Sequence, residues 1–193
     1  LMRSDWRFLD EIHDFRKLPK DNIPEVIFWG RSNVGKSSLI NAVTKSKIAK
    51  TSKSPGRTRS LIFFQLEKKL RLVDFPGYGY SKIPKINEYK LDKLIDEYLR
   101  KRVNITKFFL LIDSRHGFKD LDNFIIKQLE IYFQNKIFLI FTKTDRLKNS
   151  KERQSLHDLN KRADENFNKK FFNTSIKEVN TIILLKKFLM DSL

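Results

Sequence analysis

The chain has 193 residues, 40% hydrophobic and 12% aromatic, which fits one folded domain with a full core and excludes a disordered chain. It lacks cysteine, so disulfide and thiolate chemistry are excluded, and no apolar run approaches the roughly 20 residues that cross a bilayer. A net charge of +17 points to a polyanionic partner, nucleic acid or an anionic surface, although a general drift toward Lys, Asn, Ile and Phe accounts for part of it.

In chain order, residues 1–22 are charged and loosely patterned and are expected to form an N-terminal arm, with residues 23–193 as the domain proper. Opening at Leu1 rather than methionine, the chain reads as a fragment from which a targeting extension would be missing. Short β-rich runs then alternate with longer helical ones. Strands are predicted at Val26–Trp29, Leu61–Leu66, Leu70–Val73, Phe108–Ile112, Ile137–Phe141 and Lys170–Phe172. Helices are predicted at Gly35–Thr44, Asn87–Arg102, Leu121–Gln134, Lys151–Phe167 and Val179–Leu193. In the second of these Leu91, Leu94, Ile95, Tyr98 and Leu99 make one apolar face. The alternation predicts an α/β fold: a mostly parallel six-stranded sheet with helices on both faces. Uniformly apolar strands agree with burial on both sides. Leu61–Leu66 and Leu70–Val73 lie too close for a crossover helix, so they are expected to pair as a hairpin, giving one antiparallel strand.

Gly30-Arg31-Ser32-Asn33-Val34-Gly35-Lys36-Ser37 fits G-x-x-x-x-G-K-[ST] between a predicted strand and a predicted helix, the context this phosphate loop requires. Its glycines let successive N–H groups converge on phosphate oxygens at a helix N-terminus. Lys36 would reach the β- and γ-phosphates and the Ser37 hydroxyl would bind magnesium, with Ser38 beside it. A chance match arises in roughly 1% of chains this size, and less often in the right context.

Asp74 ends an apolar strand and precedes Phe75-Pro76-Gly77. An aspartate there can hold magnesium through water, and the Gly77 N–H can bond a γ-phosphate. After the Ile137–Phe141 strand comes Thr142-Lys143-Thr144-Asp145. Guanine offers N1–H and a 2-amino group on one edge, and one carboxylate, Asp145, can accept both, whereas adenine lacks the pair. The stem of Lys143 can lie along the base. Thr174-Ser175-Ile176, after the last strand, would offer N–H groups to the guanine carbonyl.

Gly30–Ser38 (GRSNVGKSS), Thr51–Thr58 (TSKSPGRT), Leu72–Tyr80 (LVDFPGYGY), Asp113–Asp122 (DSRHGFKDLD) and Thr142–Asp145 (TKTD), taken in order, resemble the EngB/YihA/YsxC family of ribosome-biogenesis GTPases. The resemblance covers about Ile23 to the C-terminus. It implies a three-layer, Ras-like P-loop GTPase domain, GTP hydrolysis to GDP with magnesium, and a part in maturing the large ribosomal subunit and its rRNA. It assigns Lys36 to the phosphates, Ser37 and Thr58 to magnesium, Gly77 to the γ-phosphate, and Lys143 and Asp145 to the base. Pro55, Gly56 and Arg57 join the nucleotide site through the same resemblance. Two departures stand out. Gly117 replaces a common proline, and Glu178-Val179-Asn180 follows Lys177 where relatives often carry lysine and glycine.

Tyr78 stands where Ras-like enzymes place a water-orienting glutamine, so hydrolysis is expected to be slow. A ribosomal partner could complete the site. Alternatively Asn33 could ligate potassium beside the phosphates, as the matching asparagine is thought to do in related GTPases. The catalytic set is then Lys36, Thr58 and Gly77. Lys45, Lys47, Lys50, Lys53 and Arg59, in a stretch without carboxylates, are candidate RNA contacts, as are Tyr78, Tyr80 and Lys82. Rival readings are another P-loop NTPase, or a basic RNA-binding module with a structural nucleotide. A membrane role is not expected, and a monomer is. The location would be the cytoplasm of a bacterium, or the mitochondrial or plastid matrix of a eukaryote.

Overall fold

A computed structural model of the chain describes residues 5–50, 60–79 and 85–191, the side chains of 85–87 excepted. Seven strands form one sheet: β1 (Trp6–Ile12), β2 (Glu25–Gly30), β3 (Leu61–Leu66), β4 (Leu70–Asp74), β5 (Ile105–Asp113), β6 (Ile137–Thr142) and β7 (Phe171–Asn173). Their spatial order is β1-β3-β4-β2-β5-β6-β7. The five α-helices are α1 (Lys36–Thr44), α2 (Lys85–Lys101), α3 (Asp120–Phe133), α4 (Ser150–Glu165) and α5 (Val179–Met190).

Strand alternation sorts the core into two layers. In β2, Ile27 and Trp29 face one side, together with Leu94 and Tyr98 of α2, Ile125, Ile126 and Leu129 of α3, and Ala163 of α4. Val26 and Phe28 face the other, with Leu39, Ile40 and Val43 of α1 and Ile182, Leu185 and Leu189 of α5. Burial on both faces is why these strands show no polar alternation in the sequence. The expected hairpin is present, since β3 runs antiparallel to β4 with Phe63 opposite Val73.

One expectation changes. The stretch assigned to an arm contributes a seventh strand: β1 pairs antiparallel with β3 along its length, with a register shift between Phe8 and Asp10. Because β1 opposes β3, it runs the same way as the parallel strands, and β3 remains the single reversed strand. Only Trp6 and Ile12 of β1 are buried, so its charged residues hid the strand. Charges and a bulge are the features that protect a sheet edge from pairing with other chains.

The segment before β2 is tied to the foot of the sheet. Wholly buried Glu25 accepts hydrogen bonds from Tyr98 and Arg102 of the α2 end, and Arg102 also donates to the Pro19 carbonyl at 2.9 Å. Asn104 reaches back to the carbonyls of Asp21 and Ile23 at 2.8 and 2.9 Å. With that foot fixed, the carboxyl ends of β2, β4, β5, β6 and β7 lie along the opposite edge, where open α/β sheets bind ligands.

Candidate functional site

The phosphate loop leaves β2 at Gly30 and enters α1 at Lys36. A side chain at Gly30 would place its Cβ 2.8 Å from the Leu111 carbonyl of β5, so only glycine lets the two strands close here. Gly35 caps α1 with φ of 102°, a left-handed conformation that glycine adopts without strain. Asn33 is left-handed too, at φ 66°. No side chain caps the first turn of α1, so its N–H groups are directed at the loop's own concavity.

Lys36 is buried and its ammonium pairs with Asp74 at the end of β4, also buried. Burial pushes the Asp74 carboxyl above the usual carboxylate range, and Lys36 opposes that shift. The chain after Asp74 folds back on the loop. Tyr78 N–H donates to the Gly30 carbonyl at 3.2 Å, and Ser32 N–H donates to the Tyr78 carbonyl at 3.0 Å. The Trp29 indole holds the Pro76 carbonyl at 2.8 Å. A Cβ at Gly77 would sit 3.0 Å from Ser32, so a side chain here would crowd the loop.

On the β5–β6 side, Thr142 is buried and its hydroxyl donates to the Val34 carbonyl at 2.7 Å. Lys143, left-handed at φ 61°, extends over the loop and donates to the Asn33 carbonyl at 2.6 Å and to Asp113 at 2.8 Å. Arg115 donates to the same Asp113 at 2.7 and 3.0 Å. Burial alone would raise Asp113, but Arg115 and Lys143 overcome it and hold the carboxyl down at about 2. Asp145 accepts from the Ser175 hydroxyl at 2.9 Å and pairs with Lys177 at 3.3 Å. Burial again acts upward, and the Ser175 and Lys177 contacts outweigh it, so the carboxyl lies below its usual range. The backbones of Thr144 and Thr174 are joined by an N–H to carbonyl bond of 3.2 Å. Gly35, Ser38, Lys143, Asp145, Ile176 and Lys177 are among the residues that surround a cavity of about 90 Å³.

The fold thus brings Gly30–Ser38, Asp74–Gly77, Thr142–Asp145 and Thr174–Ile176 to one edge of the sheet. Pro55, Gly56, Arg57 and Thr58, and the candidate RNA contacts Lys53, Arg59, Tyr80 and Lys82, lie outside the described residues. Lys45, Lys47 and Lys50 are exposed. Tyr78 has partners inside the fold. Its ring packs edge-on against Trp29 at 5.3 Å and its hydroxyl donates to buried Asp122 at 2.6 Å. Burial, then the Asp122 charge, pushes its pKa far above the ordinary tyrosine value. Tyr78 is thus half-buried and tied into the fold through both its ring and its hydroxyl.

Sequence reasoning gave no role at the site to Asp113, Arg115, Asp122 or the Lys177 side chain. Asp113 carried a usable signal, a carboxylate closing a run of apolar strand residues at the ligand-binding edge.

Residues 25–143 match the family described as "50S ribosome-binding GTPase". The probable GTP-binding protein EngB of Mycoplasmopsis synoviae is 42% identical over 170 residues, covering 87% of this chain and 87% of that one. This chain belongs to the EngB family of GTP-binding proteins. A crystal structure of a probable GTP-binding protein EngB matches with TM-score 0.67 over 87% of this chain and 97% of the other, at 24% identity. Toc33 from Arabidopsis thaliana, in complex with GDP and Mg2+, matches with TM-score 0.57 over 89% of this chain and 84% of its own, at 17% identity. These two likenesses show the Ras-like fold. Among the described residues no helix is long and apolar enough to cross a membrane.

Proposed function

We propose that this EngB-family chain binds GTP and GDP with magnesium, hydrolyses GTP slowly, and uses the change of state as a switch in assembly of the large ribosomal subunit. The observation that carries this reading is the convergence of a phosphate loop and a depressed, acceptor-only carboxylate, Asp145, on one sheet edge. An ionised carboxylate accepts the two adjacent donors of guanine and meets no such pair on adenine. Asp145 would therefore select the base, with Ser175 orienting it and Lys143 lying along the ring.

At the phosphate end Lys36 would leave Asp74 for the β- and γ-phosphates, and the Gly77 N–H would meet the third phosphoryl group. Ser37, together with the Asp74 carboxylate freed by Lys36, supplies oxygen donors suited to magnesium, and Thr58 would join them. Among the described residues there is no cluster of three or more metal-ligating side chains. Magnesium keeps several waters and binds largely through nucleotide phosphates, so few protein donors are needed. When bound, magnesium would neutralise charge on those phosphates. Tyr78 is committed to Asp122 and cannot orient water as a glutamine does, so a partner or a cation must complete the site. We assign the cation to potassium at Asn33, whose side chain is exposed beside the loop. GTPase rates should then be severalfold higher in potassium than in sodium, and equal rates with no effect of Asn33→Ala would remove this part.

The family description and the net charge of +17 support a ribosomal partner. The reading is tested by titrating GTP, GDP and ATP and by identifying the co-purifying nucleotide by mass spectrometry. Asp145→Asn should weaken GTP by at least about 100-fold, since it offers a donor where an acceptor is needed, with ATP gaining nothing. A wild-type chain without preference for guanosine over adenosine nucleotides would overturn it.

A further inference from the structure

The two faces of the sheet handle their charges differently. On the α2–α3–α4 side, carboxylates are interspersed with the cations and several pair: Arg100 with Asp96, Lys101 with Glu97, Lys161 with Glu165, and Lys169 at the end of this layer with Glu130, while Lys90, Lys93, Lys127, Lys151 and Arg153 form no such pair with a described residue. On the other side, α1 and α5 contain no carboxylate, and none occurs from Arg31 to Leu66. Lys45, Lys170, Lys186 and Lys187 form no ion pair with a described residue.

Topology gathers several of these unmatched lysines. The strands β5 and β7 are parallel to β6 and begin at the edge remote from the nucleotide site, which places Lys107 and Lys170 there. Helix α5 starts beside Ser175 and runs back, so its last turn, with Lys187, ends at the same remote edge. Phe188 joins the two groups. Lys170 Nζ lies 4.1 Å and Lys107 Nζ 4.3 Å from the centre of its ring, and Lys107 also donates to the Phe188 carbonyl at 2.6 Å. Burial weakens the hold of Lys107 on its proton, the Asp191 charge opposes it, and Lys170 adds a smaller push in the same direction as burial. Two ammonium groups sharing one ring, with Lys187 on the adjoining turn, repel one another and gain little for folding. Such convergence is the footprint of a bound polyanion.

We propose that Lys107 and Lys170 at Phe188, with Lys187 on the adjoining turn of α5, form a nucleotide-independent footing for the phosphate backbone of RNA, at the end of the sheet opposite the guanine nucleotide. The proposal rests on the ribosomal reading above and extends it. The switch region would read nucleotide state, while the remote footing holds the RNA in either state. Lysines are point charges that neutralise phosphates without reading bases, so the contact is electrostatic and sequence-tolerant. Because the footing is built on strand ends and a helix packed into the core, it does not depend on the loop that meets the third phosphoryl group.

The test is binding of the full chain to isolated large ribosomal subunits, GDP-loaded and GTP-analogue-loaded, across a salt series. A Lys170→Glu/Lys187→Glu variant changes only exposed side chains. A Lys151→Glu/Lys161→Glu variant on α4 makes the same change in net charge on the opposite face. The first should lose at least about 10-fold in affinity in both nucleotide states, with a salt slope shallower by about 2. The control should lose less than about 3-fold, and crosslinks from position 187 should reach rRNA. Equal losses in both variants, a loss confined to the GTP state, or crosslinks from position 187 to a ribosomal protein would each overturn the proposal. Guanine nucleotide titration of the same variants separates this outcome from failure of the GTP-binding reading, since the footing variants should bind GDP as the wild type does.

Discussion

The two ends of the nucleotide cleft are held in different ways. At the base end each polar side chain is fixed by protein partners while its working atoms stay oriented: Asp145 by Ser175 and Lys177, and Lys143 by Asp113 and the Asn33 carbonyl. At the phosphate end the working groups hold one another, with Lys36 on Asp74 and the Tyr78 backbone on Gly30 and Ser32. The first arrangement is preorganised for one ligand edge and has no need to move. The second is a set of contacts that a phosphate and a cation can exchange, which is what a two-state element requires. On the proposed reading, one end would set identity and the other would set state.

The largest expected effect breaks the exchangeable end. Lys36→Ala should lower guanine nucleotide affinity by at least about 1000-fold through loss of the phosphate contact. It should also cost about 3 kcal/mol of stability, because Asp74 would be left buried without its counter-charge. Chemical denaturation reads the stability, and adding Asp74→Asn should recover most of it. An unchanged denaturation midpoint would show that the pair does not hold this end together.

A smaller effect sharpens the contrast at the base end. Asp113→Ala should speed GDP dissociation by about 10-fold, because Lys143 loses the carboxylate that aims it at the loop. In a Lys143→Ala background the same change should do almost nothing, and additive effects would show that Asp113 acts elsewhere. Acidity offers a second readout. Asp113 holds its proton only below about 2, against an ordinary 3.8, so in that interval the unfolded chain takes the proton first. Its contribution, about 1–2 kcal/mol, is complete above about pH 4 and disappears as pH falls through about 2. Wild type should lose stability more steeply than Asp113→Asn over that interval.

The smallest effect concerns the hinge between the two ends. Tyr78→Phe keeps the ring against Trp29 but leaves Asp122 Oδ1 without its hydroxyl partner. A cost of about 1–2 kcal/mol is expected, with nucleotide affinity changed less than about 3-fold. If Tyr78 were an RNA contact instead, stability would be unchanged and ribosome affinity would fall.

Much of the proposed nucleotide site was legible because the chemistry it would perform demands neighbouring residues. A loop that converges N–H groups on phosphate needs its glycines, lysine and serine in one contiguous run, and Gly30–Ser37 carries them. The same holds for Asp74–Gly77 and Thr142–Asp145. Tyr78 and Asp113 were legible as positions but not in role, since their partners are 44 and 30 residues away. Trp6–Ile12 failed for another reason. An edge strand buries few side chains, so its sequence is released from the apolar pattern that marks a central strand.

By itself, then, the sequence determined the order of the elements from β2 onward, the two-sided burial of the sheet and which short runs lie at its ligand-binding edge, because each follows from local spacing. Only the tertiary structure decided which charges are matched. It gave Lys36 to Asp74, Lys143 to Asp113 and Tyr78 to Asp122, and left the lysines at the foot of α5 unpaired. Pairing is a matter of distance across the fold, and one-dimensional spacing does not encode it.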